Sequence, residues 1–147
     1  MTPSDEIRTL AFDVNDGLDA YVAVHNDLLA RGWFRGIFVP IDFGANRRKL
    51  QTIAIALIKL RTQAETMRAG ESDSSVATFL GILDRYVEQL VETIERLGQV
   101  VTHLERKAKG EQYDWATYKA QLAAYEDAVQ KYRELGSAMN QAWNEMV

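Results

Sequence analysis

Cysteine is absent from this 147-residue chain, and proline and histidine each occur twice. The lack of cysteine excludes disulfides, thiolate metal sites, iron–sulfur clusters and cysteine nucleophiles. Two histidines leave little for an imidazole metal site, and no cofactor is expected. Long hydrophobic runs are also missing. The longest strongly apolar stretch, Ile53–Ile58, falls far short of the ~20 residues a membrane span needs. The start Met1-Thr-Pro-Ser-Asp-Glu is polar and acidic, unlike a signal peptide. These absences lead us to expect a soluble, cytoplasmic protein for which a membrane is an unlikely partner. The formal charge of -4 and a pI near 5.2 argue against nucleic acid as a partner.

What the chain does have is helical periodicity. Ser4 is a candidate N-cap, followed by Asp5 and Glu6, which suit a helix N-terminus. Ile7, Ala11, Val14, Leu18, Tyr21, His25 and Leu28 then recur in alternating steps of four and three, predicting a helix over 4–31. Asn46 can cap a second helix, 46–69, with the stripe Leu50, Ile53, Leu57, Leu60, Ala64 and Met67. Within it, Ile53-Ala-Ile-Ala-Leu-Ile58 is apolar on every side. Such a helix is either the most buried in the monomer or turned partly toward another subunit. A polar turn at 70–75 leads to a third helix, 75–109, whose stripe begins Val76, Leu80, Leu83, Val87. Asp114 caps a fourth, 114–146, with Trp115, Tyr118, Leu122, Tyr125, Val129, Tyr132, Met139 and Trp143 on one face.

Two of the three connections are short, so sequential helices should be antiparallel. The expected fold is all-α, a single domain forming an up-down-up-down four-helix bundle. At ~1.5 Å rise per residue, the first two helices span roughly 42 and 36 Å and the last two roughly 50 Å. The long link 32–45 and the short link 110–113 should share one end. There the longer pair overhangs the shorter.

That long link carries Trp33, Phe34, Ile37, Phe38, Val39, Ile41 and Phe43. It is too aromatic for a disordered segment and longer than most helix connections. It can fold over the bundle end onto Leu104, Ala108, Trp115 and Tyr118, remain outside as a docking surface, or dip into a membrane surface, for which it has the aromatics but only Arg35 to meet anionic lipid. Beside it, Arg47, Arg48 and Lys49 place positive charge in the first turn of helix two, where cations are disfavoured. This suggests an anionic partner surface, or a solvated face answering the acids of helix one. Trp33, Phe34, Ile37, Phe38, Phe43, Arg47, Arg48 and Lys49 are the candidate partner-binding residues.

The histidines offer a second possibility. His25 lies on the helix-one stripe and is either a neutral, partly buried imidazole hydrogen-bonded to a neighbouring tyrosine or carbonyl, or a polar group that meets Tyr21, Trp33, Phe38, Trp115 and Tyr118 in a pocket at the bundle end, apolar with a few polar tips, of a kind that ligand sites use. His103 lies off its stripe and should face solvent. The run His103-Leu-Glu-Arg106-Lys107 resembles, over a few residues, the His-x-x-Lys-Gly of histidine phosphotransfer domains, although Arg106 replaces the lysine and Lys107 the glycine. That resemblance would imply phosphotransfer through His103. No Glu-x-x-His di-iron motif, phosphate loop or nucleophile elbow occurs. The acids Asp84, Glu88, Glu92, Glu95, Glu126, Asp127 and Glu134 fall mostly off the stripes, as solvated residues do. The sequence therefore points to a non-enzymatic protein–protein interaction module such as an adaptor, an inhibitor or immunity-type binder, or an assembly subunit. A homo-oligomer, most simply a dimer, is also expected, and a small-ligand sensor is the alternative.

Overall fold

The computed structural model describes residues 4–28, 42–112 and 114–147. It forms a four-helix bundle of α1 (Asp5–Leu28), α2 (Phe43–Ala69), α3 (Ser74–Ala108) and α4 (Trp115–Met146). The later pair is the longer, at 35 and 32 residues against 24 and 27.

Local chemistry accounts for the helix ends. Asp73 accepts hydrogen bonds from Ser75 N at 2.8 Å and Val76 N at 3.3 Å to start α3. Asp114 does the same for α4, accepting from Ala116 N at 3.0 Å and Thr117 N at 3.3 Å. Each satisfies amides that a first turn leaves without a carbonyl. The Ser4 hydroxyl accepts from Ile7 N at 3.3 Å, as its candidacy as a cap requires. Gly110, just past α3, has φ of 82°, a conformation that glycine adopts without a Cβ penalty.

Helix two begins earlier than its sequence pattern suggests. Asp42 is the cap, accepting from Ala45 N at 2.8 Å, and Phe43, Gly44 and Ala45 are already helical. Asn46, expected as the cap, is instead buried inside the first turn and donates from Nδ2 to the Asp42 carbonyl at 3.2 Å. Both residue types suit the role. The aspartate takes it because capping there lets Phe43 pack against the core.

The helices share one hydrophobic core. Its centre is α3, which packs extensively on both α2 and α4. With neighbours on two sides, α3 buries Phe79, Tyr86, Val91, Thr93 and Val100 in addition to its expected stripe. The Thr93 hydroxyl, fully buried, donates to the Gln89 carbonyl at 2.8 Å and lies 3.2 Å from the Ala128 carbonyl of α4. Of the two expectations for α2, burial within the monomer is overturned. Ile55 and Ile58 of its all-round apolar stretch are 57% and 48% exposed. The C-terminal end docks on its own bundle. Met146 is buried, and the Trp143 ring stands edge-on to Phe79 with centroids 5.3 Å apart.

The four sides of the bundle are not equal. α1 approaches α2 closely at Gly17, where a Cβ would lie 2.7 Å from Leu57 Cδ2. By contrast, no Cα of α1 comes within 8 Å of a Cα of α4 among the described residues. Packed helix axes usually run 8–10 Å apart, so the α1–α4 side is splayed. Large aromatic side chains bridge it.

Candidate functional site

The sequence-predicted site residues do not form one site. Trp33, Phe34, Ile37 and Phe38 lie outside the described residues, as do Val39 and Ile41. The question of whether the link caps the bundle rests on them. Phe43 is half-buried against the core. In the basic turn, Arg47 is ion-paired with Glu105 of α3, while Arg48 and Lys49 are exposed. The α2 cation Arg61 also pairs across to α3, with Asp84 at 2.8 Å and Glu88 at 3.3 Å. The α2 charges thus answer α3 acids at these positions, and not the acids of α1 that the sequence suggested. The reason is geometric. α2 packs far more extensively on α3 than on α1, so its flanking residues reach α3 carboxylates.

Tyr21 and His25, one helical turn apart on α1, do converge on a partner, but that partner is Tyr125 of α4. The Tyr21 and Tyr125 hydroxyl oxygens are 2.5 Å apart, and His25 Nδ1 lies 2.5 Å from the Tyr125 hydroxyl. Tyr132 stands edge-on to Tyr21 at 6.0 Å between centroids, and Tyr86 lies 6.3 Å from Tyr132. Burial pushes the Tyr21, Tyr86 and Tyr125 phenols well above the usual phenol range, so all three remain protonated. Burial also lowers the His25 pKa, assisted by the positive charge of Arg133.

Proton bookkeeping sets the polarity of this chain. Tyr21 is only 1% exposed, and its hydroxyl proton needs an acceptor. Tyr125 supplies it, then donates its own proton to Nδ1 of the neutral imidazole, which carries its proton on Nε2. The opposite polarity would leave the Tyr21 proton without that acceptor. The network is a polar tie across the splayed side.

Trp115 and Tyr118, expected beside His25, form a separate group with His103. Tyr118 is buried, with ring centroids 5.9 Å from His103 and 5.6 Å from Trp115. Trp115 is 57% exposed, correcting its placement in a core stripe. As the first residue of α4, it has no preceding turn to pack beneath. His103 is half-buried with Nε2 shielded from solvent. The sequence placed it facing outward, but the broad buried face of α3 brings its flank under Tyr118.

No protein-family model, curated protein or solved structure matches this chain. The residues themselves must therefore carry any functional reading. No group of three or more His, Asp or Glu side chains is arranged to hold a metal ion among the described residues. No described helix is long and apolar enough to cross a membrane.

Two surface features went unrecognised in the sequence. One is a groove of about 550 Å³ between α2 and α3, floored by Leu50, Ala54 and Ile94 and walled by Ile55 and Ile58. Arg47, His103 and Arg106 line one end of it. The other is a cleft of about 380 Å³ on the splayed α1–α4 side, with Phe79 and Leu83 of α3 lining it between the two helices. Phe12, on its α1 wall, is 71% exposed. The isoleucines were legible as an apolar excess in α2. Phe12 gave no signal, because it lies off the α1 stripe.

Proposed function

We propose that this protein is a non-enzymatic interaction module that holds a helix of a partner protein against its α2–α3 face. The observation that carries this reading is the exposure of Ile55 and Ile58 beside an apolar-floored groove. Arg48, Gln51, Ile55 and Ile58 recur along α2 at helical spacing, a row that runs from basic through polar to apolar. A complementary partner is an amphipathic helix with apolar residues at i and i+3 or i+4 and acids toward the end that meets the exposed Arg48 and Lys49. Adaptors, inhibitors and assembly subunits all work by such docking.

The test is a photo-crosslinking amino acid placed at position 58, with position 126 on α4 as an exposed control, in cells that naturally make the protein. A discrete cross-linked partner at 58, lost on Ile55→Glu, is the expected result. Cross-links equal at both positions, or persisting in Ile55→Glu, overturn the reading.

The same two isoleucines favour a second reading, in which another copy of the chain covers them. Sedimentation velocity then shows a dimer that Ile58→Glu converts to monomer.

A further inference from the structure

We infer that the cleft on the α1–α4 side binds a small aromatic carboxylate, its ring lying among Phe12, Leu83, Met139 and Trp143 and its carboxylate pairing with Arg8. The cleft exists because α1 and α4 are held apart, as the Cα distances above establish. Its volume of about 380 Å³ lies within the range of small-molecule sites. Along α1 it runs from Arg8 to Asn15, seven residues, or about 10 Å. That length admits one or two fused rings and a short polar head.

The lining chemistry narrows the ligand further. Phe12 and Trp143 offer ring surface above the buried Phe79, and the Met139 thioether suits an aromatic edge. Arg8 is the charged residue among those that line the cleft, and it makes no ion pair with any described residue. A guanidinium binds a carboxylate through paired N–H donors. The amides of Asn15 and Asn140 add donors at the rim. Phe12 is the residue that a ligand would change most. At 71% exposure it leaves a ring in water that an aromatic guest would cover. An aliphatic chain could fill the space but would forgo the ring contacts, and a neutral guest would forgo Arg8.

This site is on a different side of the bundle from Ile55 and Ile58, so it stands or falls separately from the docking reading above. The probe is 2-naphthoate, with 2-naphthamide as its uncharged counterpart, titrated calorimetrically and followed by amide and indole NMR. The expected result is saturable 2-naphthoate binding with a dissociation constant below about 1 mM and shifts at Trp143 and Arg8. Arg8→Gln should weaken 2-naphthoate about tenfold while leaving 2-naphthamide binding unchanged. Ala11→Phe, which fills the cleft, should abolish both. Because that variant could fail to fold, Phe12→Ala on the exposed wall provides an independent check and should weaken both ligands. Absence of saturation, indifference to Arg8→Gln and Phe12→Ala, or shifts confined to the α2–α3 groove would each overturn the inference.

Discussion

His25 Nδ1 of α1 and the Tyr125 hydroxyl of α4 meet at 2.5 Å, across the side of the bundle where the two backbones stay farthest apart. With Tyr21 joined to the same hydroxyl, Tyr125 is the hub that ties α1 to α4. Removing the hub should therefore harm the fold more than removing a spoke. Tyr125→Phe leaves the buried Tyr21 hydroxyl and His25 Nδ1 without their partner and should cost about 2–3 kcal/mol. Tyr21→Phe removes a proton donor but leaves Tyr125 bonded to His25, and should cost about 1 kcal/mol. The double variant should be less destabilised than the sum, since it no longer contains an orphaned Tyr21 hydroxyl. Urea unfolding of the four proteins measures this, and strict additivity would contradict the hub.

The polarity of the network predicts a pH dependence. His25 has its folded-state pKa lowered from 6.5, by burial first and Arg133 second. The unfolded chain therefore takes up a proton at this residue before the folded chain does. The stabilisation from the neutral imidazole is complete above about pH 6.5 and falls as pH drops through that value toward the folded pKa. Protonation at Nδ1 would also reverse the donor chain and orphan the Tyr21 proton. Melting temperatures of wild type and His25→Leu should converge as pH falls from about 7.5 to 5. A constant gap over that interval would mean that His25 titrates as it does in the unfolded chain.

Two helical glycines should respond oppositely to alanine. At Gly17 a new Cβ would sit 2.7 Å from Leu57 Cδ2, so α1 and α2 must separate or Leu57 must repack. Overpacking of this kind costs about 1–3 kcal/mol and outweighs the gain in helix propensity. At Gly98, nothing lies within 4 Å of the added methyl. Gly98→Ala should stabilise the protein by about 0.5–1 kcal/mol. Thermal denaturation of the pair checks the sign of each.

Arg61 joins α2 to α3 through Asp84 at 2.8 Å and Glu88 at 3.3 Å, with Glu65 of its own helix at 3.6 Å. The hydrogen bond to Asp84 is the main reason its pKa is raised. A partly exposed network of this kind is worth about 0.5–1 kcal/mol. Arg61→Met should show that loss in dilute buffer and much less of it near 1 M salt, where the screening length falls to about 3 Å. Denaturant midpoints at two salt concentrations provide the measurement.

The four-helix order, the antiparallel architecture and several helix ends were legible from the residues alone. Asp114 and Gly110 mark boundaries because capping is decided by amides and carbonyls within a few residues of the cap. The convergence of Tyr21 and His25 was half legible. Four-residue spacing puts them on one helix face, but nothing in that spacing names Tyr125, a hundred positions away. The Ile53–Ile58 run illustrates the other limit. An apolar residue on every side leaves no periodicity from which to choose a buried face, so the exposure of Ile55 and Ile58 depended on where α1 and α3 came to lie.

The sequence by itself determined the helices, their order and the stripes that bury a common core, because those follow from 3.6-residue periodicity and short-range capping. Only the tertiary structure decided that α3 is the central helix, that Asp42 and not Asn46 caps α2, and that α1 and α4 are splayed around a tyrosine–histidine tie and an open cleft. Those outcomes depend on side-chain volumes meeting across the bundle. Gly17 admits Leu57 on one side, whereas paired aromatic rings hold the backbones apart on the other.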